Sequence, residues 1–115
     1  MAELSMYYNA RCSKCRTAQG LLTERGIHAR IVEYLVEPPT LDDLRLLMSQ
    51  LGFTDPRRMM RTGETVYREL NLADASPDAL LEAIVAHPIL LERPIVVSGD
   101  LAVIARPPEL LLELL

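Results

Sequence analysis

The stretch that most constrains this chain is Met6-Tyr7-Tyr8-Asn9-Ala10-Arg11-Cys12-Ser13-Lys14-Cys15-Arg16, which holds both of its cysteines. Met6 to Tyr8 have the character of a strand end, and from Ser13 the order Ser-Lys-Cys-Arg-Thr-Ala-Gln-Gly-Leu-Leu turns helical, so Cys12 is expected where the first helix begins. Backbone N–H groups at a helix start have no partner inside the helix, and the aligned peptide dipoles add positive potential there. Arg11, Lys14 and Arg16 bring more positive charge, and Lys14 is the only lysine of the chain. Such a place favours an anion, so Cys12 is expected to titrate below the ~8.5 of a free thiol and to react as a thiolate.

Cysteines with this spacing serve zinc, a structural disulfide or redox chemistry. A zinc site takes four ligands. Only His28 and His87 could complete one, and each stands alone in the sequence as an ordinary solvated or hydrogen-bonded side chain, so no metal is expected. A structural disulfide here would close a very small loop, and secreted disulfide domains carry more cysteines. A C-x-x-C pair that follows a strand and opens a helix is instead the thioredoxin-type redox arrangement. Cys12 is then the nucleophile. Cys15, three residues on along the helix and on the same face, is expected to resolve a Cys12 adduct into a Cys12–Cys15 disulfide. Its alternative is a small apolar packing residue.

The rest of the chain reads as one α/β domain spanning residues 1–115. Leu4 to Tyr8 form a central first strand, Ser13 to Arg25 a helix with Ala18, Leu21 and Leu22 on its apolar stripe, and Gly26 its stop. Residues 27–35 form a second strand, parallel to the first. A helical insertion covers about residues 40–86. In it Thr40 caps with Asp43 at the capping-box position, Leu41, Leu44, Leu47, Met48 and Leu51 recur at helical spacing, and Asp55-Pro56 and Ser76-Pro77 open further helices. Pro94 starts a strand through Val97, Ser98-Gly99-Asp100 turns, Leu101 to Ile104 return as a hairpin, and Glu109 to Leu115 form an amphipathic helix. The whole is a mixed sheet of about four strands. A net charge of −4 gives no basic footprint for nucleic acid. No apolar run approaches the ~20 residues of a membrane span, and Met-Ala-Glu-Leu-Ser has no leader character. A cytoplasmic protein is expected.

With Asn9, Cys12, Arg16, Pro38-Pro39, Arg61, His87-Pro88, Arg93-Pro94-Ile95-Val96-Val97 and Arg106-Pro107 in this order, the chain resembles the ArsC family, the glutaredoxin-coupled arsenate reductases, and within it the shorter ArsC-like branch. The likeness covers nearly the full length. It implies a thioredoxin-like fold with a helical insertion, a catalytic cysteine at Cys12, and three arginines, Arg61, Arg93 and Arg106, that hold the oxyanion. Charge-assisted and preferably bidentate donors suit a tetrahedral dianion, and a helix N-terminus adds backbone amides. Asn9, Ser13, Lys14, Arg16 and Pro94 are expected to support the site. Pro94 is expected to follow a cis bond, as in the thioredoxin-like folds this chain resembles. Arg30, Arg57, Arg58 and Arg68 are expected on the surface.

The reaction so implied reduces arsenate to arsenite through a Cys12 adduct. Glutathione or another thiol would be the co-substrate, with no tightly bound cofactor, glutaredoxin or thioredoxin the partner, and the chain a monomer. Cys15 stands where glutathione-dependent members usually carry serine. It leaves two alternatives: a general thiol-disulfide or deglutathionylating enzyme, and an Spx-type regulator that binds RNA polymerase and uses its C-x-x-C pair as a redox switch.

Overall fold

Alternating burial along Leu4–Tyr7 (β1), with Leu4 and Met6 inside and Ser5 and Tyr7 half-covered, is the period-two pattern of a strand with one face on a core. A computed structural model describes residues 3–115. Helix Ser13–Glu24 (α1) follows β1 and ends where Gly26 adopts φ 69°, a left-handed conformation that costs glycine little. Arg30–Val32 (β2) then runs parallel to β1. Ile95–Ser98 (β3) pairs antiparallel with β1, and Leu101–Ile104 (β4) pairs antiparallel with β3. The order is β2-β1-β3-β4, so β1 is central as its sequence suggests.

Residues fall into two compact units: the chain up to Glu37 with Arg93–Leu115, and Pro38–Glu92. In the first, the register sets Ile31, Met6, Val96 and Val103 in one row across the sheet. That row packs with Ala18 and Leu22 of α1 and with Leu111. Removing such side chains from water contributes roughly 1.5–3 kcal/mol each, which is what seats α1 on the sheet. Gly99 at φ 59° makes the expected hairpin turn between β3 and β4. The Arg93–Pro94 bond is cis, as expected, and the Arg106–Pro107 bond is cis as well.

The second unit is built by its caps. Thr40 Oγ1 accepts the Asp43 N–H at 3.1 Å while Asp43 Oδ2 accepts the Thr40 N–H at 2.9 Å, the reciprocal box that starts helix Leu41–Leu51 (α2). Asp55 caps a 3-10 turn, Pro56–Met59, and Ser76 caps helix Pro77–Ala86 (α4), each with proline in the first turn. A short helix, Thr65–Glu69 (α3), lies between them. A single bridge between Met60 and Leu91 is this unit's one β pairing among the described residues.

Two expected elements come out differently. The second strand has three residues rather than the nine of 27–35, because Glu33 O accepts the N–H groups of both Val36 and Glu37 and bends the chain out of the sheet. Tyr34 turns inward at that bend while Val36 is 75% exposed. The C-terminal segment is a 3-10 helix, Pro108–Leu114, not an α-helix. With three residues per turn, Pro108, Leu111 and Leu114 fall on one side, and Pro108 and Leu111 are buried. Among the described residues no helix is long and apolar enough to cross a membrane.

Candidate active site

The loop between β1 and α1 is shaped by its own polar groups. Asn9 Oδ1 accepts the Arg11 N–H at 3.0 Å, and Asn9 O accepts the Cys12 N–H at 2.9 Å. Asparagine does this readily, its side chain bonding the backbone two residues on. Arg16 reaches back so that Nη1 donates to Ala10 O at 2.7 Å. Arg16 thus ties the loop. Cys12 occupies the N-cap position of α1 with extended backbone, φ −89° and ψ 119°. Its side chain is half-buried and that of Cys15 fully buried, and both thiols are free.

Burial pushes the Cys12 thiol up, but four donors outweigh it. The backbone N–H of Cys15, the Cys15 thiol, the Arg93 guanidinium and the backbone N–H of Lys14 all favour the thiolate and bring the pKa down to about 7. The expected direction is therefore present, while its cause lies in amides and in Arg93 rather than in the side chains of Arg11, Lys14 and Arg16. A thiol at the free value is roughly 3% ionised at pH 7, so a pKa of about 7 raises the reactive fraction more than tenfold. Cys15 moves the other way, to about 11. Burial is the main cause, and the neighbouring Cys12 adds to it, against weaker opposition from the Asn9 backbone and Arg93. One sulfur is held as the anion while the other is held as the thiol that hydrogen-bonds it.

Arg93 directly precedes Pro94 and β3. Burial lowers its pKa, but Tyr34 and Cys12 raise it by more, so its charge is secure beside the sulfur. Arg106 Nη1 donates to Arg93 O at 2.9 Å. Pro94 is buried and its carbonyl accepts the Ala105 N–H at 2.9 Å, which fastens the entry of β3 to the exit of β4. Ser13 and Lys14 are exposed in the first turn of α1, where Ser13 O accepts the Thr17 hydroxyl. Within the first unit, then, Asn9, Cys12, Lys14, Cys15, Arg93 and Arg106 are linked by direct interactions.

Arg61 belongs to the second unit. Its Nε donates to Glu64 Oε1 at 3.0 Å and its Nη1 to Glu92 Oε1 at 3.2 Å, while its backbone N–H donates to Leu90 O. Sequence reasoning missed both carboxylates, although Glu64 stands three residues after Arg61 and Glu92 directly precedes Arg93. It also missed Tyr34, which it placed inside a strand. The available signal was a tyrosine at the carboxyl end of a parallel strand, where α/β sheets tend to build their sites. Arg57 is a further correction. Far from being a surface charge, it donates through Nη2 to the carbonyls of Leu72, Ala73 and Ala75 at 2.9 Å each and through Nε to the Tyr67 hydroxyl at 3.2 Å. Among the described residues no cluster of histidine, cysteine or carboxylate side chains is arranged to hold a metal ion.

A four-stranded mixed sheet with a reactive cysteine opening the first helix and a cis-proline opening the third strand defines a thioredoxin-like thiol fold. A model of the ArsC family matches residues 7–114, and the chain belongs to that family. It is 47% identical over 111 residues to an arsenate reductase of Neisseria meningitidis, covering 95% of each chain. It is 46% identical over 114 residues to YfgD of Escherichia coli, a protein described as uncharacterized, covering 97% of this chain and 96% of that one. Among solved structures, an arsenate reductase from Vibrio cholerae superposes with a TM-score of 0.96 at 44% identity, over 99% of this chain and 98% of that one.

Proposed function

We propose that this protein is an arsenate reductase whose nucleophile is Cys12. The observation that carries the reading is a sulfur with a pKa of about 7 beside the Arg93 guanidinium at the start of α1. Family relatives named for the same activity support it. Arg93 and Arg106 hold the oxyanion, and Arg61 is assigned as a third ligand on the family likeness alone. Guanidinium forks match tetrahedral oxyanions, and backbone amides at a helix start favour negative charge.

The Cys12 thiolate attacks arsenic, a sulfur–arsenic bond forms and water leaves. A second thiol then attacks the Cys12 sulfur. As the new disulfide forms, the electron pair of the sulfur–arsenic bond passes to arsenic, which leaves as arsenite. Two thiols are oxidised and arsenic(V) becomes arsenic(III). Cys15 is the second thiol in the reading proposed here. Part of what holds its proton is the Cys12 anion, and adduct formation takes that anion away. Glutathione, through glutaredoxin, or thioredoxin then reduces the disulfide. Asn9, Ser13, Lys14, Arg16 and Pro94 support the loop and strand that carry the sulfur.

A second reading has its own observation. Cys15 is fully buried with its thiol near 11, which suits packing, in which case glutathione itself resolves the adduct. Purified protein supplied with glutathione, glutaredoxin, a reductase and NADPH should oxidise NADPH only when arsenate is added. No arsenate dependence with either glutaredoxin or thioredoxin overturns the assignment. Mass spectrometry after one turnover separates the two resolving steps: a Cys12–Cys15 disulfide supports the first, and a Cys12–glutathione adduct with Cys15→Ser at parental rate supports the second.

A further inference from the structure

We propose that Tyr34 is a positioning residue of the thiol site, its hydroxyl holding the Arg93 guanidinium in the orientation that faces the Cys12 sulfur. Topology brings the three residues to one end of the sheet. Cys12 follows β1, Tyr34 follows β2, which is parallel to β1, and Arg93 precedes β3, which is antiparallel to it. Tyr7 marks that end, paired with Val32 on one side and Ile95 on the other. Each of the three residues lies within a few positions of that row.

Tyr34 is 0% exposed, the largest of the fully buried side chains. A tyrosine so deep keeps its hydroxyl only if a polar group meets it. Arg93 is the polar group with which it interacts, and Arg93 interacts with the Cys12 sulfur as well. Two features make the tyrosine a fixed support. Its main chain is pinned by the turn in which Glu33 O accepts two N–H groups, and its ring has only two torsions, both confined by burial. Arginine has a long flexible stem but a planar head with five donors in one plane. Fixing that plane at Tyr34 fixes what every other donor faces. The Arg93 main chain is held separately, through Arg106 Nη1 on its carbonyl.

This inference rests on the Cys12 thiolate of the proposed function and not on arsenate, so alkylation of Cys12 by iodoacetamide tests it without any oxyanion substrate. In Tyr34→Phe, which keeps the ring, the thiolate-to-thiol ratio of Cys12 near neutral pH should fall about fivefold, the equivalent of one hydrogen bond of ~1 kcal/mol. Protection of Cys12 by sulfate should weaken by a similar factor. In an Arg93→Ala background the same substitution should change neither quantity. A folded Tyr34→Phe protein that titrates like the parent, or that shifts equally without Arg93, reduces Tyr34 to packing and overturns the proposal. A measurement on the unsubstituted protein stands beside the variant. Nitrogen-resolved NMR should show slowed rotation of the Arg93 guanidinium, and freely averaged signals would contradict the role whether or not Tyr34→Phe folds.

Discussion

Arg57 and Arg93 are both partly buried, yet their surroundings give them opposite work. In the Pro38–Glu92 unit, Arg57 meets three backbone carbonyls, the Tyr67 hydroxyl and the Asp55 carboxylate, all of them oxygen acceptors. It gathers Leu72, Ala73 and Ala75 around one guanidinium and so ties the short 3-10 turn Leu72–Asp74 to the turn Pro56–Met59. In the other unit Arg93 meets a sulfur whose ionisation it favours. The acceptor decides the role: a charge placed on carbonyls holds chain to chain, and the same charge placed on a thiol changes that thiol's chemistry. Arg61 is intermediate, paired with Glu64 and Glu92 at its Nε and Nη1.

Substitutions can break that contrast. Arg57→Ala takes the donor away from three carbonyls at once and should cost about 3 kcal/mol of stability, since each hydrogen bond to a charged group contributes roughly 1.5–3 kcal/mol and water can replace part of the loss. Urea unfolding would measure it, with Cys12 alkylation unchanged in the folded protein. Arg93→Ala should do the reverse. Oxyanion binding should weaken by on the order of 1.5–3 kcal/mol and Cys12 should titrate higher, while stability changes less than in Arg57→Ala. Sulfate titration and thiol alkylation would report it, and equal loss of stability in the two variants would erase the distinction. The smallest effect is expected for Glu64→Gln. Its pair with Arg61 is partly exposed, so removing the charge should alter stability by less than about 1 kcal/mol. A larger loss in thermal unfolding would mark Arg61 as a structural tie like Arg57.

What the sequence made legible follows the range of the interaction. Thr40 with Asp43, Asp55 with Pro56, and Ser76 with Pro77 act within three residues, and each starts an element where the sequence places it. The hairpin around Gly99, the helix stop before Gly26 and the position of Cys12 are equally local. Signals of long range were not legible. Arg57 meets partners 10 to 18 residues away, and nothing beside it in the chain announces them. Tyr34 was hidden for a related reason. Its strand-like neighbours Leu35 and Val36 are exposed in a turn, and Arg93, the group with which it interacts, is far along the chain. At the site the nucleophile was legible from its helix start, while the donors that tune it were credited to the wrong side chains, because charge counting along a sequence does not tell which guanidinium folds back onto its own loop.

The activated sulfur is tested most directly by the rate of Cys12 alkylation against pH in the unsubstituted chain, where the buried Cys15, held near 11, contributes little. The thiolate is the reacting form, so the rate rises as pH increases through the Cys12 pKa and then levels. The profile should have its midpoint near 7. A midpoint at or above the free-thiol value of ~8.5 would mean that Arg93 and the amides of α1 do not hold Cys12 as an anion.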